Sequence, residues 1–401
     1  MTDAQRCPVE LISRPFMQDP YPHLAKLRES LPAAVLEAGG FRMWLITRYE
    51  DVRRILADPD VCKDMVGRRR EIVKQSLVDA TRHVRLPHES RRSVLDRDGD
   101  DHRRLRSALT PMFRPENLAG LRDGIEARAE ELLDALPLTE PVELLTAYVR
   151  PLVAGVIADI VGVPADERAM FPLWETAMLT SLKNEDVAEA GRALYGFALR
   201  MIELKRTAPS DDVYTWLLGQ HDEGILDFDE LASTVALLLF AGSEPAAVIT
   251  TGISTVLRHP DQLAILLAEP ELWPRCVEEV MRYEPPFRML PPRFSPKDTQ
   301  VAGTHVPPME LLLLSPAAAN RDAERFSNPD EFDVRRDTRG HLGFGHGSHR
   351  CPGAELGRME TLIALRAFFT RFPHARVLEE PSWRPGLFMR RLHSLPVLLE
   401  P

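Results

Sequence analysis

One apolar segment constrains the fold of this chain more than any other feature. It begins at Asp227 and continues to Arg258, just before Pro260. Asp227 and Glu230 have the spacing of a capping box, which marks the first turn of a helix. A helix over all of 227–258 would be about 48 Å long at 1.5 Å per residue. Because the segment is apolar almost all round, this helix should run through the protein interior.

Shorter patterns on both sides of this segment predict a mainly α-helical protein with small β-sheets. Apolar residues recur at helical spacing over 125–136 and 354–369, which is typical of helices that rest on a core. Alternating residues over 41–47 and a leucine run over 311–314 predict short strands.

The sequence shows no boundary between domains, because it has no internal repeat and no low-complexity linker. We therefore expect a single domain across residues 1–401. It would have a β-containing N-terminal part over about 1–60, a helical part over about 100–285 and a mixed C-terminal part that carries the loop 344–353.

Composition excludes several classes of protein. The 50 basic and 60 acidic residues give a net charge of −10, which argues against a general nucleic-acid binder. Cys7, Cys62, Cys276 and Cys351 form no CxxC pair, so a zinc site or a disulfide framework is not expected. The N-terminus lacks the pattern of a leader peptide, and no apolar stretch reaches the ~20 residues of a spanning helix. These features predict a cytoplasmic protein that binds neither nucleic acid nor membranes.

The loop 344–353 carries the most specific chemical pattern. Gly345 and Gly347 permit a tight turn. Cys351 directly precedes a predicted helix, whose N-terminus favours a thiolate over a thiol, and residues 349–350 add positive charge. A lone cysteine in a turn is more often a buried structural residue. A thiolate in a glycine-lined loop beside cations is nevertheless what an iron porphyrin with anionic propionates needs.

The segment Phe344-Gly-His-Gly-Ser-His-Arg-Cys-Pro-Gly353 resembles the heme-binding signature of the cytochrome P450 family, FGxGxHxCxG, at every specified position. The resemblance implies the cytochrome P450 fold, with one long distal helix, and heme b as the cofactor. It further implies that Cys351 is the axial ligand of the iron, that Phe344 packs against the porphyrin and that His349 binds a propionate. Gly345 and Gly353 would then line the cofactor loop.

Two further elements resemble structural motifs of the same family. Glu279 and Arg282 are spaced i,i+3 on one helix face; alone, such a pair is usually an ordinary surface contact. The pair resembles the family's ExxR element, which implies that it is buried and supports the cysteine loop. The segment from Asn328 to Arg335 resembles the part of the family that completes this network, with Arg335 as a contributor.

The spacing of His102 and Arg106 puts both on one face of a predicted helix. By itself this pattern fits a solvated basic face, although cations on one face could also hold a dianionic cofactor. It resembles the family's HxxxR helix, which implies that both residues bind heme propionates. Arg293 resembles another propionate-binding arginine.

The distal helix departs from the family pattern at one position. Ala241-Gly242-Ser-Glu244-Pro245 resembles the segment [AG]GxxT, with Pro245 in place of the threonine whose hydroxyl helps deliver protons. Proline inside a helix removes a hydrogen bond, here to the Ala241 carbonyl, at a cost of about 3 kcal/mol. Two interpretations stay open: the proline reproduces an existing kink, or it alters the oxygen chemistry. We take Ala241, Gly242, Glu244 and Pro245 as the candidate catalytic residues.

The resemblance also points to a substrate pocket. The predicted lining residues are Phe287, Met289, Leu290, Phe388 and Met389. Each of them could instead be an ordinary residue of the hydrophobic core. The stretch 63–92 carries nine basic and four acidic residues and resembles the family's flap over the substrate. It could bind a carboxylate-bearing substrate or an acidic carrier protein, or it could be a solubilising loop.

These observations predict a heme-thiolate monooxygenase or oxidase that acts on a small organic molecule, in keeping with relatives that tailor secondary metabolites. No flavin or nicotinamide domain is expected within 401 residues, so electrons would come from a ferredoxin and a ferredoxin reductase. The bases expected to attract an acidic ferredoxin are Arg103, Arg104, Arg350 and Arg358. The alternatives are an atypical enzyme that uses peroxide, couples radicals or rearranges its substrate, and a heme sensor without turnover.

Overall fold

The computed structural model describes residues 5–11, 13–38, 40–65, 67–76, 92–164, 167–168 and 184–400. Within them the chain is mainly helical, as predicted. Its α-helices are α1 Arg14–Gln18, α2 Tyr21–Ser30, α3 Tyr49–Ala57, α4 Arg69–Ser76, α5 Gly99–Leu109, α6 Pro115–Ala119, α7 Arg122–Asp134, α8 Arg150–Val161, α9 Asn184–Thr207, α10 Val213–Asp222, α11 Phe228–Ala241, α12 Pro245–Leu257, α13 Pro260–Ala268, α14 Trp273–Tyr283, α15 Pro316–Ala319 and α16 Ala354–Arg371.

Short strands form three small sheets within the described residues. The strands are β1 Ala33–Ala38, β2 Phe41–Ile46, β3 Val142–Glu143, β4 Arg293–Phe294, β5 Thr299–Val301, β6 Thr304–Val306, β7 Leu311–Leu314, β8 Arg376–Val377 and β9 Pro396–Leu398. The sheet orders are β1-β2-β7-β4, β3-β9-β8 and β5-β6. The predicted strands over 41–47 and 311–314 are confirmed.

The largest sheet joins distant parts of the chain. Strand β2 pairs with β1 in an antiparallel hairpin and with β7 in parallel, Met43 opposite Leu311 and Ile46 opposite Leu314. All four leucines of β7 are buried, which explains an apolar run without alternation. The single domain over 1–401 stays a prediction, and this pairing supports it.

The helical core is built around α12. Its residues from Ala246 to Val256 are all buried, and it packs against α14 and α16. This confirms the prediction that the apolar segment runs through the interior. The capping box of α11 is also confirmed, because the Asp227 carboxylate accepts the Glu230 backbone N–H and the Glu230 carboxylate accepts that of Asp227.

The prediction of one uninterrupted helix over 227–258 is wrong, because a break separates α11 from α12 at residues 242–244. The break lies against α8, where a Cβ on Gly242 would come within 2.3 Å of the Ile157 side chain. Pro245 begins α12, the position at which a missing N–H removes no helical bond. The Ala241 carbonyl accepts the Glu244 N–H at 3.2 Å. The expected cost of an interior proline therefore does not arise.

Judged by length and composition alone, Phe228–Leu257 would be able to cross a membrane. This contradicts the sequence expectation that no apolar segment is long enough. More than half of its most apolar window is buried inside the protein, as is usual for a core helix.

Candidate active site

The cysteine loop lies between β7 and α16 and is held by its own backbone. The Cys351 N–H donates to the Phe344 carbonyl at 2.9 Å, and the Gly345 N–H donates to the Leu342 carbonyl at 3.0 Å. Gly347 has φ of 73°, and a Cβ there would lie 2.1 Å from the Leu56 carbonyl oxygen. The tight turn predicted from the glycines is thus confirmed, and it is pressed against the end of α3.

A buried ion pair supports this loop from α14. Glu279 and Arg282 are shielded from solvent and joined by two hydrogen bonds of 2.7 and 2.8 Å. The Arg282 guanidinium also donates to the carbonyls of Asn320, Pro329 and Glu331. A buried charge pair is tolerated when its remaining donors and acceptors are satisfied in this way.

The residue that completes the network is Arg336, and the prediction of Arg335 is wrong. The Arg336 side chain, 8% exposed, places Nε 3.2 Å from Glu279 Oε1. Arg335 is half exposed and pairs with Glu269 at the surface. The two arginines are adjacent in sequence, but their side chains point in different directions. That of Arg336 points toward the buried Glu279, and that of Arg335 points toward Glu269 at the surface.

Four of the predicted cofactor-binding residues belong to one basic region, in which Arg106 and Arg293 carry the charge, because burial lowers the pKa of His102 and lowers that of His349 to about 4. The rings of His102 and His349 lie 4.1 Å apart. Arg293 is 5% exposed and His102 is 4% exposed. Within the described chain, Arg293 Nε and His102 Nε2 are buried without a hydrogen-bond partner. Arg106 lies one helical turn beyond His102 on α5, within electrostatic reach of the Cys351 sulfur.

Two residues of this region were not predicted. Asp98 accepts the backbone N–H groups of Lys63 and Asp64 at 2.7 and 2.8 Å and lies 3.4 Å from His349 Nε2. Burial opposes its ionisation, but the bonds from His349 and from those N–H groups hold the pKa of Asp98 below its usual value. Burial beside Arg293 lowers the pKa of Lys63 to about 7. No sequence motif relates residues 63, 98 and 293, which come close only in the folded chain.

The break between α11 and α12 places Glu244 beside an arginine from the C-terminal loop. Arg391 Nη2 lies 2.6 Å from Glu244 Oε2, and the two side chains are 10% and 14% exposed. The Ser243 hydroxyl donates to the Phe240 carbonyl at 2.8 Å, so it is engaged with its own helix. Arg391 is a residue that the sequence analysis missed.

The two predicted pocket segments, residues 287–290 and residues 388–389, lie side by side in the structure. Phe287 and Met389 form an antiparallel bridge, and the Met289 N–H donates to the Phe388 carbonyl at 3.1 Å. Phe287, Leu290, Phe388 and Met389 are partly exposed. Met289 is fully buried in the core beneath the largest sheet, so its prediction as a pocket residue is wrong.

Comparison with known proteins identifies the family. The cytochrome P450 family model matches residues 168–384. The chain belongs to the cytochrome P450 family. Cytochrome P450 107B1 of Saccharopolyspora erythraea is 37% identical over 387 residues, covering 95% of each chain.

Solved P450 structures share the whole fold. The tirandamycin C-bound P450 monooxygenase TamI superposes with a TM-score of 0.89 at 35% identity, covering 97% of this chain and 99% of TamI. P450BioI, solved with an acyl carrier protein bearing hexadec-9Z-enoic acid, gives 0.86 at 29% identity, covering 96% of this chain and all of that one. This chain is accordingly a P450 monooxygenase, and its cofactor is heme b.

The residues present in this P450 fit heme b. Among the described residues, the buried Arg293 Nε and His102 Nε2 have no hydrogen-bond partner. Lys63, Arg106 and Arg293 lie in the same region, where the Asp98 carboxylate is already bonded to two backbone N–H groups. The two propionates of the porphyrin would supply acceptors for these groups.

In the heme-free protein, burial and the nearby polar groups act in opposite directions on the pKa of Cys351. Burial raises the pKa of the Cys351 thiol, while the Gly353 N–H and the guanidinium groups of Arg106, Arg350 and Arg358 lower it. Burial is the stronger of these influences in the heme-free protein. Coordination to a metal ion deprotonates a thiol outright.

The bases expected to attract a ferredoxin divide into two groups. Arg104 donates to the nearly buried Glu230 at 2.6 and 2.8 Å, and Arg358 is bound by Glu278 and Glu355. Arg103 and Arg350 are 70% and 48% exposed and pair with Asp100 and Glu355, which are exposed themselves. The second pair of arginines is the more exposed of the two.

The basic stretch 63–92 is only partly described. Arg82, Arg85 and Arg91 lie outside the described residues. Arg68, Arg69 and Arg70 at the start of α4 are exposed. The end of α4 is attached to the largest sheet, because Gln75 Nε2 donates to Glu310 Oε1 at 3.2 Å and the Ser76 hydroxyl donates to the Met309 carbonyl at 3.2 Å.

Proposed function

We propose that this P450 oxidises a small, mainly apolar molecule at a heme held by Cys351. The observation that carries the proposal is the basic region of His102, Arg106, Arg293 and His349 beside a glycine-lined cysteine loop. In this proposal those four side chains bind the propionates, and Phe344 packs under the porphyrin. When bound, heme b supplies the activation of O₂ and the transfer of oxygen to the substrate.

Glu244 is the proposed proton-transfer group on the distal side. It lies at the helix break, and its carboxylate faces Arg391 at 2.6 Å. To accept a proton from solvent and release it toward the reacting oxygen, the carboxylate has to exchange this ion pair for a hydrogen bond to water. Arg391 thereby acts as a positioning residue for Glu244.

Pro245 favours a second candidate function. It offers neither a hydroxyl nor an N–H to a proton relay, and the neighbouring Ser243 hydroxyl is bonded to its own helix. An enzyme driven by peroxide, or one that couples or rearranges substrate radicals, needs less proton delivery than an O₂-dependent monooxygenase. Pro245 supports this candidate because it stands at the position where the resemblance to the family places the hydroxyl of a proton relay.

The substrate class is proposed from the pocket. Phe287, Leu290, Phe388 and Met389 present aromatic and thioether surface, which suits an apolar ligand and adapts to its shape. TamI, which this chain resembles over nearly its whole length, is solved with tirandamycin C bound. A secondary metabolite of comparable character is the proposed substrate.

A carrier protein is a further part of the proposal. The exposed bases Arg68, Arg69 and Arg70 on α4 could receive an acidic partner that presents the substrate. The P450BioI structure contains such a partner, an acyl carrier protein. A charge reversal at all three arginines is expected to weaken binding of a carrier-linked substrate and to leave binding of the free substrate unchanged.

Electrons are proposed to come from a ferredoxin and its reductase. Arg103 and Arg350, exposed on α5 and beside Cys351, form the proposed docking charges. Opposite charges across such a surface raise the association rate at low salt, so electron transfer should slow as salt is added. The proposed compartment is the cytoplasm, which agrees with four free cysteines.

Two experiments test the proposal. The ferrous–carbon monoxide spectrum distinguishes thiolate from other ligation, and Cys351→Ser should abolish the thiolate spectrum while Cys62→Ser keeps it. Substrate-dependent NADH consumption with a surrogate ferredoxin and reductase then supports the O₂-dependent enzyme. Turnover with peroxide alone supports the second candidate. Binding without turnover in either assay would contradict both and indicate a sensor.

A further inference from the structure

Two adjacent carboxylates on α14 serve different parts of the site. Glu279 turns inward to Arg282 and Arg336. Glu278, one residue earlier, turns toward the cysteine loop and accepts Arg358 Nε and Nη2 at 2.5 and 3.0 Å. Its other contact is His341 Nε2, at 2.8 Å. Nothing in the family signature or the ExxR pattern involves Glu278.

The contact with His341 ties Glu278 to the backbone of the loop. His341 Nδ1 accepts the Gly343 N–H at 3.1 Å, so the neutral ring carries its proton on Nε2 and donates it to Glu278. Gly343 directly precedes Phe344, whose carbonyl accepts the Cys351 N–H. Glu278 is thus connected to the backbone of Cys351 through three hydrogen bonds and the main chain of residues 343–344.

The contact with Arg358 ties Glu278 to the ring of the same phenylalanine. The Arg358 guanidinium lies 4.4 Å from the centroid of the Phe344 ring, within range of a cation–π contact. The same guanidinium is held by Glu278 through two hydrogen bonds, so Glu278 fixes the group that lies on the Phe344 ring. Burial opposes the ionisation of Glu278, but His341 and Arg358 together lower its pKa to about 2, so it is anionic at neutral pH.

We propose that Glu278 is a positioning residue for the Cys351 loop, because it holds His341 against the backbone of Gly343 and Arg358 against the ring of Phe344. The inference rests on the proposed function in one respect, namely that Cys351 ligates the heme iron. Partners of metal ligands in this position orient the ligand and adjust the metal, and their loss commonly costs a factor of ten or more.

The test uses Glu278→Gln in the heme-loaded protein, with Glu355→Gln as the matched control. Glu355 binds the same guanidinium, at 2.7 Å from Nη1, but is 58% exposed and makes none of the described contacts with His341. Removing the negative charge of Glu278 favours the electron-richer ferrous state, so the ferric–ferrous reduction potential should become more positive. Heme transfer to excess apomyoglobin should accelerate about 10-fold. The control should stay close to the parent in both.

Two results would overturn the inference. One is a parent-like potential and heme-transfer rate in Glu278→Gln; the other is an equal change in Glu355→Gln, which would show that only the net charge on Arg358 matters. If Glu278→Gln does not fold, His341→Asn removes the loop contact and keeps the Glu278 charge, so it should accelerate heme transfer and leave the potential near the parent value; a parent-like transfer rate there would also overturn the inference. Failure of the proposed function itself is seen separately, as a parent protein without a thiolate spectrum.

Discussion

Arg391 Nη2 and Glu244 Oε2 lie 2.6 Å apart, joining the helix break between α11 and α12 to the C-terminal loop. The same loop carries Phe388 and Met389, which are proposed to contact substrate. A ligand that moves this loop would therefore also move the partner of the proposed proton-transfer group. Substrate binding is therefore expected to change the ion pair of Glu244, the proposed distal acid.

Replacement of that acid gives the first prediction. Glu244→Ala should slow O₂-dependent turnover about 100-fold, since a positioned acid–base group contributes 10²–10⁴ to a rate. The measurement is product formed per NADH consumed, with peroxide followed in parallel. Glu131→Ala, at an exposed position of α7, serves as the control. A parent-like rate and coupling would remove Glu244 from the proposed route.

The second prediction concerns Pro245→Thr. Because Pro245 occupies the first position of α12, the substitution should change the free energy of unfolding by less than about 1 kcal/mol. It introduces a hydroxyl beside Glu244 and should alter the ratio of product to released peroxide more than the substrate Kd. Denaturant unfolding, substrate titration and a peroxide assay check the three quantities. An unchanged ratio would show that proton delivery does not pass position 245.

The third prediction separates two neighbouring arginines. Arg336→Ala should destabilise the protein by about 2 kcal/mol, because it breaks a charged hydrogen bond to the buried Glu279 and the bonds to the carbonyls of residues 328 and 331. Arg335→Ala removes a half-exposed surface pair and should cost less than about 1 kcal/mol. Urea unfolding of the two variants under identical conditions provides the measurement. Equal losses of stability would contradict the network described for Arg336.

The fourth prediction is a pH dependence of the heme-free protein. Burial, reinforced by Arg293, lowers the pKa of Lys63 from 10.5 to about 7. Between these values the unfolded chain binds more protons than the folded one, so the Lys63 contribution to stability rises with pH in this window and is lost as pH falls through it.

Lys63→Met should therefore raise the urea midpoint of the heme-free protein at pH near 7 and flatten its rise toward pH near 10. The same variant should bind heme less tightly, since it removes a cation from the proposed propionate region. Lys26→Met, at an exposed position of α2, is the control. Parallel pH profiles for the Lys63 variant and the parent would contradict the assignment.

Local patterns were sufficient for most of the secondary structure. The capping box at Asp227, the alternation over 41–47 and the apolar run over 311–314 each depend on residues close in sequence, and each is found in the structure. The break at Gly242 was not predictable in this way. It coincides with the side chain of Ile157 on another helix, and periodicity within 227–258 carries no information about that neighbour.

The cysteine loop could be predicted because its signature is continuous in sequence. Arg391, Asp98 and Glu278 could not, because their partners lie between 34 and 251 positions away and no local rule pairs them. The choice of Arg335 over Arg336 failed for a related reason. Their order along the chain does not reveal which side chain points toward α14.

The parallel pairing of β2 with β7 imposes an order on synthesis. Ile46 pairs with Leu314, more than 260 residues later, so β2 leaves the ribosome well before the strand it pairs with. At about 5–20 residues per second this interval is on the order of 10 to 50 s. During that time one edge of the β1–β2 hairpin stays open to other strands. A nascent-chain experiment should find this hairpin to be the segment most in need of chaperone protection.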